Sequence, residues 1–132
     1  MEKIHFPFPM IDDGEEDTKS FLRNLEDKHP KIHALIETVF DSLKGNNWEN
    51  EWHEMLNDQI IKEFDEIGIG EFRIPPESRK KGITVRLYFC HSVYSSSIII
   101  LLFGEIKDRR CSRISIARRR REIYMERYEE IG

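Results

Sequence analysis

One stretch of the chain decides the fold, because three consecutive segments in it read as β-strands: GEFRI at 70–74, ITVRLYFC at 83–90 and SIIILLF at 97–103. The third segment is an unbroken apolar run rich in β-branched residues, which is typical of a strand buried on both faces. The second alternates apolar and polar residues, which is typical of a strand with one buried face. We therefore expect a sheet with helices on one side and an open side that carries Arg73, Arg86 and Tyr88.

The segments before this sheet read as helices. Asp17 or Thr18 can cap a first helix, which the dipeptide His29-Pro30 ends. Pro30 suits the first turn of a second helix, predicted to reach about residue 44 and to bury an apolar stripe made of Ile32, Leu35, Ile36, Val39, Phe40 and Leu43. A third helix is predicted at 48–67, where apolar residues recur every three or four positions. Its stripe is either core or a groove for a partner segment.

The two ends of the chain complete the predicted fold. In residues 1–16 we expect a short edge strand at 4–9, since its prolines cannot donate to a ladder, and then an acidic loop. Ser112 can cap a final helix that ends near residue 130. Four consecutive arginines at 118–121 cover all sides of that helix, so at least one must face the sheet or its edge. The prediction is an α+β fold in a single domain, 1–132, with an antiparallel-rich sheet of about four strands, an N-terminal helical hairpin, a third helix and a C-terminal helix.

Composition limits the class of protein. The chain has 132 residues, of which 39% are hydrophobic and 35% charged, as in soluble globular proteins. No apolar stretch approaches the roughly 20 residues of a membrane helix, and the first nine residues lack the pattern of a secretory leader. We therefore expect a cytoplasmic protein without membrane contacts. In a reducing compartment Cys90 and Cys111 are expected to be free thiols.

Charge is unevenly distributed along the chain, although the net charge is only -4. Residues 1–69 contain 7 Lys/Arg against 17 Asp/Glu, whereas residues 70–132 contain 14 against 8. A basic half of this kind indicates an anionic partner. The alternative is a solvated surface whose two halves attract each other or a second subunit. The short basic run at 79–81 is likewise either a solvated loop tip or a phosphate contact.

Motifs for metal, nucleotide or serine-hydrolase chemistry are missing from the sequence. His29 and His33 are four residues apart, but Pro30 intervenes and no partner has the spacing of zinc ligands. The sequence contains no GxxxxGK[ST], GxGxxG or GxSxG pattern. We therefore expect neither a metal nor another cofactor.

The remaining candidate site is a cationic strand face. Arg73 and Arg86 lie on neighbouring predicted strands and, if these are in register, their Cβ atoms are about 5 Å apart. Two guanidinium groups at that distance repel each other unless an anion lies between them. The pair therefore requires a carboxylate such as Glu71 nearby, or it binds phosphate.

Four short motifs, in this order along the chain, resemble the RelE/HigB/ParE superfamily of toxin-antitoxin toxins, and HigB-like members in particular: EFRI at 71–74, VRLYF at 85–89, LLFGEIK at 101–107, and ARRR at 117–120 followed by Tyr124. The resemblance implies a compact toxin fold with an antitoxin as partner. For RelE and HigB members it implies metal-independent cleavage of mRNA on the ribosome.

The resemblance gives a specific hypothesis for the site. Three cations are predicted to bind the reacting phosphate: Arg73, Arg86 and Lys107. Four residues are predicted to contact or support RNA: Lys80, Lys81, Arg120 and Tyr88. The alternative is a toxin-fold protein that acts by binding, either as a ParE-like gyrase inhibitor or as an inactive interaction module. Glu71 stands where some nuclease members have lysine. A homo-oligomer is compatible with either hypothesis.

Overall fold

The computed structural model describes residues 3–6, 13–64, 66–75, 83–107 and 112–131. Within these ranges the α+β class is confirmed. The described part of the chain forms five strands and four helices, in this order: β1 (Ile4–His5), α1 (Thr18–Lys28), α2 (Pro30–Lys44), α3 (Trp48–Asn57), β2 (Ile61–Phe64), β3 (Ile69–Ile74), β4 (Val85–His91), β5 (Ile99–Ile106) and α4 (Ile114–Ile131). None of the described helices is both long and apolar enough to cross a membrane.

The five strands form one mixed sheet in the order β1-β5-β4-β3-β2. β1 lies at one edge and pairs in parallel with β5, whereas the other neighbours are antiparallel. The predicted edge strand is thus confirmed for Ile4–His5; Phe6 lies beyond its end, and residues 7–9 lie outside the described residues. The prediction of about four strands did not include β2, which is the fifth strand of the described sheet.

The prediction of one helix over 48–67 was wrong. α3 ends at Asn57, and Gln59 adopts a positive φ of 63°, which takes the chain out of the helical path. The next residues pair with β3, with Ile61 opposite Phe72. Backbone hydrogen bonds from the edge of β3 are the physical reason for the strand. The spacing of apolar residues within one segment gives no information about hydrogen bonds to a distant strand.

The helical hairpin is confirmed and packs on one face of the sheet. Asp17 caps α1 by accepting a hydrogen bond from the Ser20 backbone N–H at 2.9 Å, and Pro30 begins α2. A Cβ at Gly104 would lie 2.6 Å from a ring carbon of Phe21, so α1 packs directly against β5. The predicted stripe of α2 is buried at Ile36, Phe40 and Leu43, whereas Leu35 is 38% exposed.

The sequence analysis predicted that the opposite face of the sheet is open. The structure shows that this face is partly covered. α4 covers part of it, where Ala117 and Tyr124 pack with Tyr88 and Leu102. All four side chains are fully buried. Arg73 and Arg86 lie on the same face at the end of the sheet beyond these contacts, where their side chains are 18% and 13% exposed.

Arg120 joins α4 to the segment that precedes α1, and its side chain is completely buried. Its guanidinium donates hydrogen bonds to both carboxylate oxygens of Asp13, at 2.7 and 2.9 Å, and to the carbonyl oxygens of Leu102 and Glu15, at 2.8 and 3.2 Å. On the surface nearby, Arg113 Nη2 donates to Glu15 Oε2 at 2.7 Å. The acidic and basic halves of the sequence therefore attract each other at these contacts.

Replacing Arg120 tests this clamp. The hydrogen bonds from its guanidinium lower the pKa of Asp13 below the usual value. Arg120→Met leaves a desolvated carboxylate without its partner, so we expect the free energy of unfolding at pH 7 to fall by about 3–5 kcal/mol. Because the folded pKa of Asp13 is lowered, the difference from wild type should be complete above about pH 4 and should shrink as the pH falls further.

Urea unfolding of both proteins between pH 2 and pH 7 measures this difference. Arg118→Met, at an exposed position of the same helix, is the control and should change stability by less than about 0.5 kcal/mol. A pH-independent effect of Arg120→Met would contradict the assigned role of Asp13.

Candidate functional site

The candidate site lies at one end of the sheet, on the face that α4 partly covers. Arg73 of β3 is directly opposite Arg86 of β4, as predicted, and Arg86 is directly opposite Glu105 of β5. Glu71 is two residues before Arg73 and therefore shares its face. We refer to Glu71, Arg73, Arg86 and Glu105 as the ionic cluster. Its four side chains are between 3% and 18% exposed.

Two carboxylates offset the repulsion between the arginines. The Glu71 carboxylate accepts a hydrogen bond from Arg73 Nε, and its other oxygen lies 4.0 Å from Arg86 Nε. Glu105 Oε1 lies 3.6 Å from Arg86 Nη1. Glu105 also accepts the backbone N–H of Arg113, at 3.0 Å to its nearer oxygen. The requirement for an anion between the arginines is thus met by protein carboxylates, of which the sequence analysis had named only Glu71.

Arg86 has fewer hydrogen bonds than is usual for a guanidinium group that is so deeply buried. Its side chain is only 13% exposed, yet Nε has no hydrogen-bond partner, and both of its ion pairs are longer than a hydrogen bond. A buried donor without a partner carries a desolvation cost of about 1–3 kcal/mol. An oxyanion that accepts from this guanidinium would remove that cost.

Arg120 and Tyr88, in contrast to Arg86, are fully buried and hydrogen-bonded within the protein. Arg120 donates four hydrogen bonds to described residues, and its side chain has no exposed surface. The Tyr88 hydroxyl shares a hydrogen bond of 2.7 Å with Ser112 Oγ, and its residue is also fully buried. Both side chains are therefore buried structural groups, in contrast to the prediction that they contact or support RNA.

Lys107 follows β5 at the same end of the sheet. Its backbone N–H donates to Thr84 O at 2.7 Å, which continues the ladder between β4 and β5 by one residue. Alternation along the strand assigns residue 107 to the face of Glu105. Among the described residues of the cluster and the strand end, Arg73, Arg86 and Lys107 thus accompany the two carboxylates Glu71 and Glu105. Lys80 and Lys81 lie outside the described residues.

Titratable groups near the cluster include no activated nucleophile among the described residues. Burial raises the pKa of the Tyr88 hydroxyl, and the carboxylates of Glu105 and Glu71 raise it further. Burial also raises the pKa of Cys90 to about 12. Both groups are therefore neutral at pH 7. Cys90 is a free thiol, as expected, and Cys111 lies outside the described residues.

A separate group of potential metal ligands was missed by the sequence analysis. His33 Nδ1 lies 3.4 Å from a carboxylate oxygen of Glu26 and 3.4 Å from one of Glu37. His33 and Glu37 are one helical turn apart on α2, but Glu26 belongs to α1 and comes near only through packing of the hairpin. Both glutamates are at least 60% exposed, and the group reads as a surface ion pair.

In comparisons with known proteins, no protein-family model, curated protein or solved structure matches the chain.

Replacing Arg86 tests whether the cluster binds an oxyanion. We expect Arg86→Gln to weaken the binding of a deoxydinucleotide, whose phosphate group is the oxyanion, by roughly 10- to 100-fold, because one or two charge-assisted hydrogen bonds are lost. Arg86→Lys keeps the charge but loses the planar fork, and its loss should be smaller.

Isothermal titration calorimetry gives these affinities, and thermal unfolding shows whether each variant is folded. The matched control is Arg23→Gln, at an exposed position of α1 on the other side of the sheet. Equal affinity in wild type and a folded Arg86→Gln protein would rule out an oxyanion site at this cluster.

Proposed function

We propose that the protein is the toxin of a type II toxin-antitoxin system and cleaves mRNA on the ribosome without a metal ion. The observation that carries the proposal is the direct pairing of Arg73 with Arg86 on one sheet face, together with the buried Arg86 Nε that has no hydrogen bond. The order of the four sequence motifs supports the same proposal. The protein would act in the cytoplasm and be held inactive by its cognate antitoxin.

The proposed reaction needs cations more than it needs a nucleophile from the protein. The ribose 2'-oxygen attacks the adjacent phosphorus, the bond from phosphorus to the 5'-oxygen breaks, and the products are a 2',3'-cyclic phosphate and a 5'-hydroxyl end. Negative charge accumulates on the phosphoryl oxygens in the transition state. Arginines fixed before the reaction stabilise that charge without reorganising. Arg73 and Arg86 have this role in the proposal, with Lys107 at the strand end.

Proton transfer is assigned to groups of the same end of the sheet. The Glu71 carboxylate lies within 4.0 Å of Arg86 and contacts Arg73, so it can accept the proton of a 2'-hydroxyl whose phosphate is bound between them. The ammonium group of Lys107 can return a proton to the departing 5'-oxygen. Each general acid or base contributes on the order of 10²- to 10⁴-fold in rate.

Expression of the protein in a bacterial host tests this function. We expect wild type to arrest growth and to leave mRNA fragments with cyclic phosphate ends, and Arg73→Gln/Arg86→Gln to do neither, since the charge that stabilises the transition state is gone. Primer extension on cellular mRNA measures the cleavage. Arg23→Gln/Lys28→Gln removes the same number of charges from exposed positions of α1 and should remain toxic. Normal growth and intact mRNA with wild type would refute the nuclease.

A second candidate is a protein of the same fold that acts by binding, as a ParE-like gyrase inhibitor or as an inactive interaction module. The observation that favours it is the presence of Glu71 and Glu105 beside the arginines, because two buried carboxylates lower the affinity for a phosphate. Supercoiling by purified gyrase separates the candidates. Inhibition of supercoiling with intact mRNA would favour the gyrase inhibitor, and inactivity in both assays would favour the interaction module.

A further inference from the structure

A cavity of about 690 Å³ lies on the helical-hairpin side of the sheet, between β1, α1 and α2. Its floor is apolar, because Ile4, Ile36 and Phe40 are all less than 10% exposed. Phe6 and Leu22 are partly buried against the same core. Cavities of this size accommodate small organic ligands that place an apolar body against such a floor.

Lysines gather around this cavity in the part of the chain where basic residues are scarce. Residues 1–69 contain only 7 Lys/Arg, and three of these line the cavity: Lys3, Lys19 and Lys44. The lining contains one carboxylate, Glu37, of which one oxygen lies 3.4 Å from His33 Nδ1. The cavity is therefore a positive spot within an acidic region.

Within the described ranges, the three ammonium groups form no close ion pair with an acid, although the charge of Glu49 acts on Lys3. Among the described residues none of them has a carboxylate oxygen within 4.0 Å. Two of them instead lie over aromatic rings. Lys3 Nζ is 4.3 Å from the ring centroid of Trp48, and Lys19 Nζ is 5.6 Å from that of Phe6. Aromatic contacts of this kind hold a cation in place but leave its charge in full.

From this arrangement we infer that the cavity binds a free anionic amphiphile, with an acidic head group at the lysines and a hydrocarbon body on the floor of Ile4, Ile36 and Phe40. A carboxylate or phosphate head supplies negative charge to a lining in which three lysines accompany one carboxylate, Glu37. The site lies on the side of the sheet away from the ionic cluster and does not depend on the proposed nuclease activity.

Binding of decanoate to the full chain, at concentrations below micelle formation, tests the inference. We expect decanoate to bind at least several-fold more tightly than decanol, which has the same chain and no charge. Extending the chain from octanoate to decanoate should tighten binding by up to about fourfold per methylene, because each methylene reaches the apolar floor. Isothermal titration calorimetry measures the affinities. Amide chemical shifts of Ile36 and Phe40 report whether the cavity is the site.

Four exposed lysines of the helical hairpin provide a matched pair of variants. Lys19→Gln/Lys44→Gln removes two charges from the lining and should weaken decanoate binding about 3- to 10-fold, as expected for exposed ion pairs. Lys28→Gln/Lys31→Gln removes two charges that do not line the cavity and should leave binding unchanged.

Three results would overturn the inference. The first is equal affinity for decanoate and decanol, and the second is an equal loss in both double variants. The third is sedimentation of the protein with phosphatidylglycerol vesicles without binding of free decanoate, which would show a membrane surface as the anionic partner instead of a free amphiphile.

Discussion

The register of β4 between β3 and β5 is the constraint on which the candidate site depends. It aligns Arg73, Arg86 and Glu105 across three strands. A shift of one residue would turn Arg86 to the opposite face and expose Leu87 and Phe89, which are now almost completely buried. Burial of these apolar side chains against the helices therefore fixes the register. The same register places Arg73 opposite Arg86 on the other face. Their proximity would be unfavourable without the two carboxylates beside them.

Two buried arginines show how differently the same side chain is used. Arg120 finds a partner for each direction of its guanidinium and connects elements that are about a hundred residues apart in sequence. Arg86 is nearly as buried but has only long ion pairs and a donor without a partner. A fully bonded guanidinium supports the fold. An incompletely bonded one still has an N–H group that can donate a hydrogen bond to an oxyanion. The two arginines are similarly buried, so they differ in their hydrogen bonding and not in their burial.

The uneven charge of the sequence has more than one structural meaning. The basic half does not simply face a partner, because Arg120 and Arg113 pair with Asp13 and Glu15 of the acidic half. At these contacts the interpretation that the two halves attract each other is confirmed. The basic surplus that remains at the sheet end is small, since Arg73 and Arg86 are balanced by carboxylates of their own half. Counting charges along a sequence therefore overstated the positive surface.

The sequence by itself determined the helical hairpin, the strands β3 to β5 and the placement of Arg73 and Arg86 on one face of the sheet, whereas their direct pairing depends on the strand register. Their signals are local: a cap at Asp17, a proline at the start of α2 and alternation along β4 act within a few residues of the chain. Only the tertiary structure decided that 61–64 is a strand, that α4 covers Tyr88, and that Glu105 completes the ionic cluster. These outcomes depend on backbone and side-chain partners from distant segments, whose identity no local pattern contains.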